Sequence, residues 1–267
     1  MSGTKKSIGA ITVVIAAVGG VVLLGSAASA AVTGLQQMGP QSGQLTADVG
    51  GVSSMDVEVG GADMRIVFDD VDDAELRVEG ASTGGWTLRA DDGRLEVRGP
   101  DRGFGWWSPD WLRGDERVTL VLPLDLKGVD AELTLHAGQL DVTGEFADLA
   151  VDVNAGSLAM TGDARTIDIE LNAGRADVEL RGVEQAQYRI SAGRVVSALT
   201  TVPDSVDFSV SAGALDLTLP DQEYDLRREV SAGSLDSSLD QSSDSRHRIT
   251  GSVSAGSATL RPGGTGE

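Results

Sequence analysis

Apolar and polar residues alternate with a period of two through the central part of the chain, and one version of this pattern recurs several times. In the segment VDVNAGSLAM, Val151, Val153 and Ala155 precede an Ala-Gly pair, and the apolar positions resume at Leu158. Alternation over about 4 to 8 residues is typical of strands with one buried face. Because the apolar phase shifts at the glycine, the pattern predicts two short strands joined by a bend.

Seven units of this kind can be aligned on the glycine of the bend. The successive glycines are 18, 18, 19, 20, 20 and 23 residues apart, which is typical of stacked repeat proteins. The corner glycines are Gly138, Gly156, Gly174, Gly193, Gly213, Gly233 and Gly256. Since glycine adopts positive φ without steric cost, we interpret these residues as structural corners.

The residue two positions before each corner glycine is polar in every unit. These residues are His136, Asn154, Asn172, Ser191, Ser211, Ser231 and Ser254. If the units stack at a spacing of ~4.8 Å, the side chains form a ladder that can satisfy polar groups at the bend. An antiparallel meander is the alternative, but Ala-Gly lacks the Asn-Gly or Asp-Gly chemistry of favoured hairpin turns. The pattern therefore favours a parallel stack with two or three strands per rung.

The N-terminal residues 1–32 have the pattern of a membrane-targeting segment. Lys5 and Lys6 precede an uncharged stretch whose most apolar part, 8–24, is 17 residues long. A membrane-spanning helix needs about 20 apolar residues, whereas the Ala-Ser-Ala sequence at 28–30 resembles a signal-peptide cleavage site. Both alternatives stay open, and the length favours a retained anchor. By the positive-inside rule, we expect the N-terminus inside and the remainder outside the cytoplasmic membrane.

The rest of the chain divides into four predicted parts. Residues 33–51 are rich in Gly, Gln and Ser and are interpreted as a flexible tether. Residues 52–130 are predicted to form a less regular β region that caps the stack, beginning with an early rung at 55–67. The regular repeats occupy 131–261, and 262–267 are expected to be a disordered tail.

Composition narrows the possible functions. The net charge of −20 makes nucleic-acid binding unfavourable, and the absence of cysteine excludes disulfides, thiolate metal sites and a cysteine nucleophile. The acidic segments 68–75 and 90–94 lack the spacing of known calcium loops and are interpreted as solvated turns. The two histidines, His136 and His247, are not accompanied by a nucleophile motif such as G-x-S-x-G. We predict no catalytic residue, no cofactor and no metal site.

The segment DRGFGWWSPDWLRGDER (101–117) is the feature that the repeat does not explain. Its aromatic residues are Phe104, Trp106, Trp107 and Trp111. Glycine and proline punctuation predicts a loop between strands. The favoured interpretation is a plug folded over the stack, because large exposed apolar patches are unusual. The alternative is a site that contacts a glycan, a membrane interface or a partner protein, and this loop is the best candidate for one.

The segments RVTLVLPLDL (117–126) and LTLHAGQLDVTGEFADLAVDVNAGSLAMTGDARTIDIELNAGRADV (133–178) carry a family resemblance. They resemble the DUF4097 family of β-strand-repeat proteins, described as candidate adhesins, and in particular its membrane-anchored actinobacterial members. The resemblance implies a cell-envelope protein with a parallel β-solenoid-like fold and brings no catalytic residues. The predicted fold is therefore all-β: a right-handed parallel β-solenoid with a less regular N-terminal β cap, preceded by one transmembrane or signal helix.

These expectations together favour a non-enzymatic cell-envelope protein, acting as an adhesin or surface interaction scaffold. Its partner would be an envelope component or a protein. Two alternatives stay open. One is a glycan-binding module or carbohydrate-active β-helix enzyme, for which Asp177 with Arg175 and Arg194 would be a conceivable groove. The other is a regulatory ectodomain in envelope stress sensing.

Overall fold

The chain is folded almost entirely from β-strands. The structure is a computed structural model that describes residues 14–16, 42–80, 85–100 and 116–263 of the 267. Within these ranges there are eighteen strands, a 3₁₀ turn at Leu124–Leu126 and no α-helix. The expectation of an all-β chain is confirmed.

The strands vary in length because several of them continue through a bend. In chain order they are β1 Val14–Ala16, β2 Ser42–Ala47, β3 Ser54–Val59, β4 Ala62–Asp69, β5 Ala74–Glu79, β6 Thr87–Asp91, β7 Arg94–Arg98, β8 Arg117–Pro123, β9 Val129–Leu135, β10 Gly138–Val153, β11 Ser157–Leu171, β12 Arg175–Arg181, β13 Gln185–Leu199, β14 Ser205–Pro220, β15 Asp225–Val230, β16 Ser234–Ser237, β17 Arg248–Val253 and β18 Ser257–Gly263.

Successive repeats pair in parallel, in the register that the sequence alignment requires. Leu140 of β10 lies beside Leu158 of β11, which in turn lies beside Ala176 of β12. In each rung the chain runs along an arm that precedes the corner glycine, which we call the leading arm. It then turns and continues along a trailing arm. The leading arms stack on one another to form one face, and the trailing arms form a second face.

The two faces enclose a single hydrophobic core. Inward-facing residues of both faces are almost completely buried, as with Ile169 of a leading arm and Leu180 of a trailing arm. The hydroxyl groups of Tyr188, on a leading arm, and Ser197, on a trailing arm, lie 2.7 Å apart in this core. The faces therefore contact each other directly, and the alternating pattern of the sequence separates core from surface.

The order of the rungs differs from their order along the chain at the C-terminal end. The leading arm β17 pairs with β14 on one side and with β15 on the other. Likewise, the trailing arm β18 lies between β14 and β16. The seventh repeat is thus inserted between the fifth and the sixth, and β15 with β16 forms the last rung.

Side-chain size gives a physical reason for this insertion. Phe208 of the fifth repeat lies beside Gly251 of the seventh, and a Cβ atom at Gly251 would lie 2.1 Å from the Phe208 ring. The corresponding residue of the sixth repeat is Arg228. Since cores pack at near-crystalline density, the repeat that carries glycine fits next to Phe208 better than the repeat that carries arginine.

The corner glycines form a continuous column in which backbone lies against backbone. A Cβ atom at Gly174 would lie 2.0 Å from the carbonyl oxygen of Gly156. The same clash would occur at Gly256 against Gly213, at 2.2 Å. Positive φ is found only at the corners of the first four repeats, from Gly138 onward. Close approach is therefore the common reason for glycine here, and backbone conformation is an additional reason at some corners.

The N-terminal end of the stack contains antiparallel strands, which the repeat pattern did not specify. There β5 pairs antiparallel with both β2 and β8, and β6 pairs antiparallel with β7. Strands β3 and β4 form a rung through Gly60 and Gly61 and pair in parallel with β9 and β10. Antiparallel strands at this end cover the first parallel rung and can act as its cap.

Two of the predicted boundaries need correction. The expected tether 33–51 contains strand β2, in which Leu45 and Ala47 are buried against the core. The apolar alternation in this stretch is too short to stand out from its Gly, Gln and Ser background. At the other end, β18 continues to Gly263, beyond the expected start of the tail.

Most of the N-terminal segment lies outside the described residues. Its described part, Val14–Ala16, pairs antiparallel with β2. Among the residues that the structure describes, no helix has the length and apolar character needed to cross a membrane. The anchor or signal helix expected in 1–32 therefore stays a prediction.

Replacing a corner glycine should destabilise the stack. In Gly174→Ala the new Cβ would meet the Gly156 carbonyl oxygen at a residue with φ +113°. We expect a loss of about 3 kcal/mol in the free energy of unfolding, measured by urea denaturation. Gly61→Ala is the matched control, because its Cβ meets nothing within 4 Å. It should change stability by less than about 0.5 kcal/mol. Equal effects of both substitutions would contradict the close-approach explanation.

Stability should fall at alkaline pH because of the chain's two tyrosines, Tyr188 and Tyr224. Burial raises the pKa of each to about 12. Unfolded tyrosines lose their protons near about pH 10, so the native state binds more protons between about pH 10 and pH 12. The free energy of unfolding should therefore decrease as pH rises through this range. Tyrosinate absorbance and urea denaturation measure both quantities.

Tyr188→Phe provides the control for the other groups that titrate at alkaline pH. It should remove the part of the pH dependence that Tyr188 contributes while Tyr224 keeps its own. Tyrosinate absorbance that develops near the ordinary pKa in the folded protein would contradict the predicted dependence.

Candidate functional site

The aromatic residues of the predicted loop lie outside the described residues. They are Phe104, Trp106, Trp107 and Trp111. The described residues on either side show where this segment begins and ends. The Gly99 N–H donates to the Glu58 carbonyl oxygen at 2.9 Å, and the Asp63 N–H donates to the Glu116 carbonyl oxygen at 3.1 Å. Both ends are therefore held beside the corner of the β3–β4 rung, at the place where other rungs have a tight glycine bend.

A buried polar pair supports this corner. The indole N–H of Trp86 donates to Oε1 of Glu116 at 2.7 Å, and both residues are about 5% exposed or less. A buried carboxylate is costly unless it accepts hydrogen bonds, so the indole stabilises Glu116 in place. Sequence reasoning missed this pair, because the two residues are distant along the chain and belong to no motif.

The polar ladder is present, but side-chain hydrogen bonds link only its first rungs. His136 Nε2 lies 2.8 Å from Oε1 of Glu58, and the Asn154 side-chain amide lies 3.3 Å from His136 Nδ1. Asn172 donates to Oδ1 of Asn154 at 3.4 Å. Backbone hydrogen bonds link asparagine and serine rungs alike, because the Asn172 N–H donates to the Val153 carbonyl oxygen at 2.9 Å and the Ser254 N–H donates to the Val210 carbonyl oxygen at 2.8 Å. The ladder thus joins rungs to one another and presents no separate set of reactive groups.

Neither histidine is placed as a catalytic base. The His136 ring is held between a carboxylate and an amide in the ladder. His247 Nδ1 lies 2.9 Å from the carbonyl oxygen of Pro203, and the ring packs edge-to-face against Tyr224. In the described parts of the chain, neither ring hydrogen-bonds a serine hydroxyl.

Several carboxylates on the outer faces are paired with arginines. Of the three residues considered for an enzyme groove, Arg175 donates to Asp177 at 2.6 Å within one strand, whereas Arg194 donates to Asp216 of the following rung. Arg181 of one rung donates to Asp163 of the next at 2.7 Å and lowers the pKa of that carboxyl. Exposed pairs of this kind contribute little stability. Within the described ranges, no group of three or more His, Cys, Asp or Glu side chains is arranged to hold a metal ion.

Asp152 is the most unusual carboxylate of the leading face. Its Oδ1 atom is buried and has no hydrogen-bond partner among the described residues. Burial raises its pKa, and neighbouring Glu170 raises it further, whereas His136 lowers it. The side chain lies beside the polar ladder, so its environment results from the stacking of the rungs.

A depression lies on the outer surface of the leading face, across the last four rungs. Its volume is about 620 Å³, and arginine and acidic side chains line it together with hydroxyl groups. The charged lining residues are Arg189, Arg227, Arg228, Asp207 and Glu229. Arg228 occupies an inward position, so the outward charged side chains of the groove are two arginines and two acids, which balance one another although the whole chain has a net charge of −20. Sequence patterns did not indicate the groove, because its residues come from four separate repeats.

Comparisons with known proteins find solved structures that match the chain only at low similarity. No protein-family model and no curated protein matches the chain. A solved structure of a proposed cell adhesion protein from Clostridium sporogenes is 12% identical, with a TM-score of 0.41, and the match covers 84% of this chain and 100% of that one. An adhesin candidate from Bacteroides fragilis is 12% identical, with a TM-score of 0.36 and coverage of 83% and 97%. A candidate lipid-binding protein from Parabacteroides distasonis has 12% identity, a TM-score of 0.36 and coverage of 84% and 96%. Similarities at this level assign no family, so membership of DUF4097 stays a prediction.

Proposed function

We propose that the protein is a non-enzymatic scaffold of the cell envelope, displayed outside the cytoplasmic membrane, and that it acts through surface interactions such as adhesion. The observation that carries this proposal is the stacking of parallel rungs in register along a column of corner glycines. Such an arrangement makes each rung depend on its neighbours and gives a stiff, extended support. The repeated polar groups bond to adjacent rungs, which suits a scaffold better than a reaction centre.

The architecture that we propose is a right-handed parallel β-solenoid of the DUF4097 type. The parallel pairing of successive repeats and the two arms of each rung support it. A closed stack of this kind displays large outer faces whose side chains can change without disturbing the core. Adhesive and scaffold proteins use extended surfaces in this way.

The proposed location follows from the N-terminal sequence. Lys5 and Lys6 before the apolar stretch 8–24 favour a single-pass anchor with its N-terminus inside. Cleavage near the Ala-Ser-Ala sequence at 28–30 would release the same exported domain. In both cases the β-strand region faces the outside.

A glycan-binding module is the second candidate function, and the groove on the leading face favours it. Its lining combines guanidinium, carboxylate and hydroxyl groups, which are the partners that sugar hydroxyl and carboxylate groups require. The groove is a shallow surface depression, so it suits a module that binds a polymer along its length better than an enclosed active site.

Labelling of a single cysteine can test the exported location, because the natural chain has no cysteine. Ser243 is exposed, so Ser243→Cys should react with a membrane-impermeant maleimide on intact cells. Ser197 is 1% exposed, so Ser197→Cys should react only after denaturation and serves as the matched control. Labelling of the Ser243→Cys protein only after cell lysis would contradict export.

A second experiment concerns the contact with the envelope, which we propose to involve the aromatic segment 101–115. The double variant Trp106→Ala/Trp107→Ala should keep the thermal midpoint of the natural protein and lose most of its binding to cell-wall extract in a pull-down. Trp86→Ala is the contrasting control, because loss of this buried side chain should cost about 3 to 5 kcal/mol of stability. A double variant that binds normally but melts early would instead identify the segment as a structural plug.

A further inference from the structure

The leading face contains a column of inward-facing residues that runs from one end of the stack to the other. Each residue lies beside its equivalent in the next rung, in the middle of the arm. In stack order the column consists of Val97, Val57, Leu133, Val151, Ile169, Tyr188, Phe208, Gly251 and Arg228. All but the last are uncharged and buried. The only charged residue of the column therefore occupies its end.

Arg228 and its neighbour Arg227 differ both in the side of the strand that they occupy and in the contacts of their side chains. Arg227 occupies an outward position and donates to Asp225 at 2.8 Å. Arg228 occupies an inward position, is exposed, and makes no hydrogen bond or ion pair with any residue that the structure describes. The two adjacent arginines thus have different surroundings, because Arg228 lies on the inward side of the strand and Arg227 lies on the outward side.

Strand β15 forms the open edge of the leading face, since β17 is its only strand partner within the described ranges. The Asp225 and Ser231 N–H groups donate toward the β17 side, to the carbonyl oxygens of His247 and Val253 at 2.8 and 2.9 Å. Because backbone groups alternate between the two sides of a strand, those of Leu226, Arg228 and Val230 face the open side.

This edge has the properties of a site for adding another strand. Val230 is 41% exposed and is one of the two large hydrophobic residues exposed in the described parts of the chain. Among the residues that the structure describes, the one isolated bridge on this strand's open side joins Tyr224 to Gln241. Unpaired edges of this kind are templates for association, and natural proteins often protect them with an inward-pointing charge.

We propose that Arg228 is a stop residue, which prevents the stack from adding a strand from a second copy of the protein. An antiparallel pairing of two β15 edges centred on Arg228 would place two guanidinium groups opposite each other, and like charges in that position repel. A head-to-tail addition would instead bring β6 of the second copy, whose inward residues include Leu88. Arg228 would then be buried without a counter-charge, which is strongly unfavourable.

The insertion of the seventh repeat is what places this residue at the end. If the repeats stacked in chain order, the last leading arm would be β17, whose inward residues are Ile249, Gly251 and Val253. That edge would be uncharged and would favour association. The observed order puts the repeat with arginine outermost, so one rearrangement both accommodates Phe208 and protects the edge.

Substitutions at Arg228 can test whether its charge prevents association. Arg227 provides the matched control, because both residues belong to the same strand. Multi-angle light scattering after gel filtration would give the mass of each full-length variant over a range of concentrations. We expect the natural protein and Arg227→Leu to be monomeric. Arg228→Leu should at least double its average mass as concentration rises. Arg228→Ala, which adds less apolar surface, should associate in the same direction but more weakly.

A second-site variant identifies the surface responsible. In Arg228→Leu/Val230→Asp, a charge returns to the same edge two residues away, and the protein should be monomeric again. Thermal midpoints at low concentration show whether each variant is folded. A folded Arg228→Leu protein that stays monomeric, or an Arg227→Leu protein that associates equally, would overturn the proposal. Persistent association of the double variant would overturn it too, because the contact would then lie elsewhere.

Discussion

The close approach of backbone to backbone at the corner glycines is the constraint on which the rest of the structure depends. At Gly156 a Cβ atom would lie 2.2 Å from the carbonyl oxygen of Gly138, so neighbouring rungs can reach their observed separation only without a side chain. Once the corners coincide, the residues that follow them are brought into register, as with Leu140 beside Leu158. Continuous inward columns and a shared core are the consequence.

Structural features that are shared by every rung can therefore be predicted from the repeats in the sequence. Features that depend on a single rung cannot. The alternation and the glycine period predicted strands, corners and the phase of the core. The insertion of the seventh repeat depends on a single pair, Phe208 and Gly251, and no periodic signal reports such a fit. Similarly, Trp86 and Glu116 are joined only by the fold. Strand β2 was missed because its apolar alternation is too short to stand out from the surrounding Gly, Gln and Ser residues.

Polar residues that recur in the repeats differ in role from polar residues that occur in only some of them. Those that recur, such as Asn154 and Asn172, bond to the next rung and stabilise the stack. The residues that depart from the pattern are the ones that remain for interactions with other molecules. The groove illustrates this, because the arginines and acids that line it occur in only some of the repeats. Candidate sites in such a protein are therefore best sought where the repeat is broken.

The two ends of the stack are closed by different means, and the difference has a consequence for display on a membrane. At the N-terminal end, antiparallel strands cover the first rung, and the chain there leads to the proposed anchor. The nine leading arms from β7 to β15 place Arg228 roughly 40 Å away at ~4.8 Å per rung. On a protein anchored as proposed, this edge belongs to the end of the stack that is distant from the anchor. A charge is a suitable closure there, because it leaves the edge exposed to other partners while it opposes addition of an identical strand.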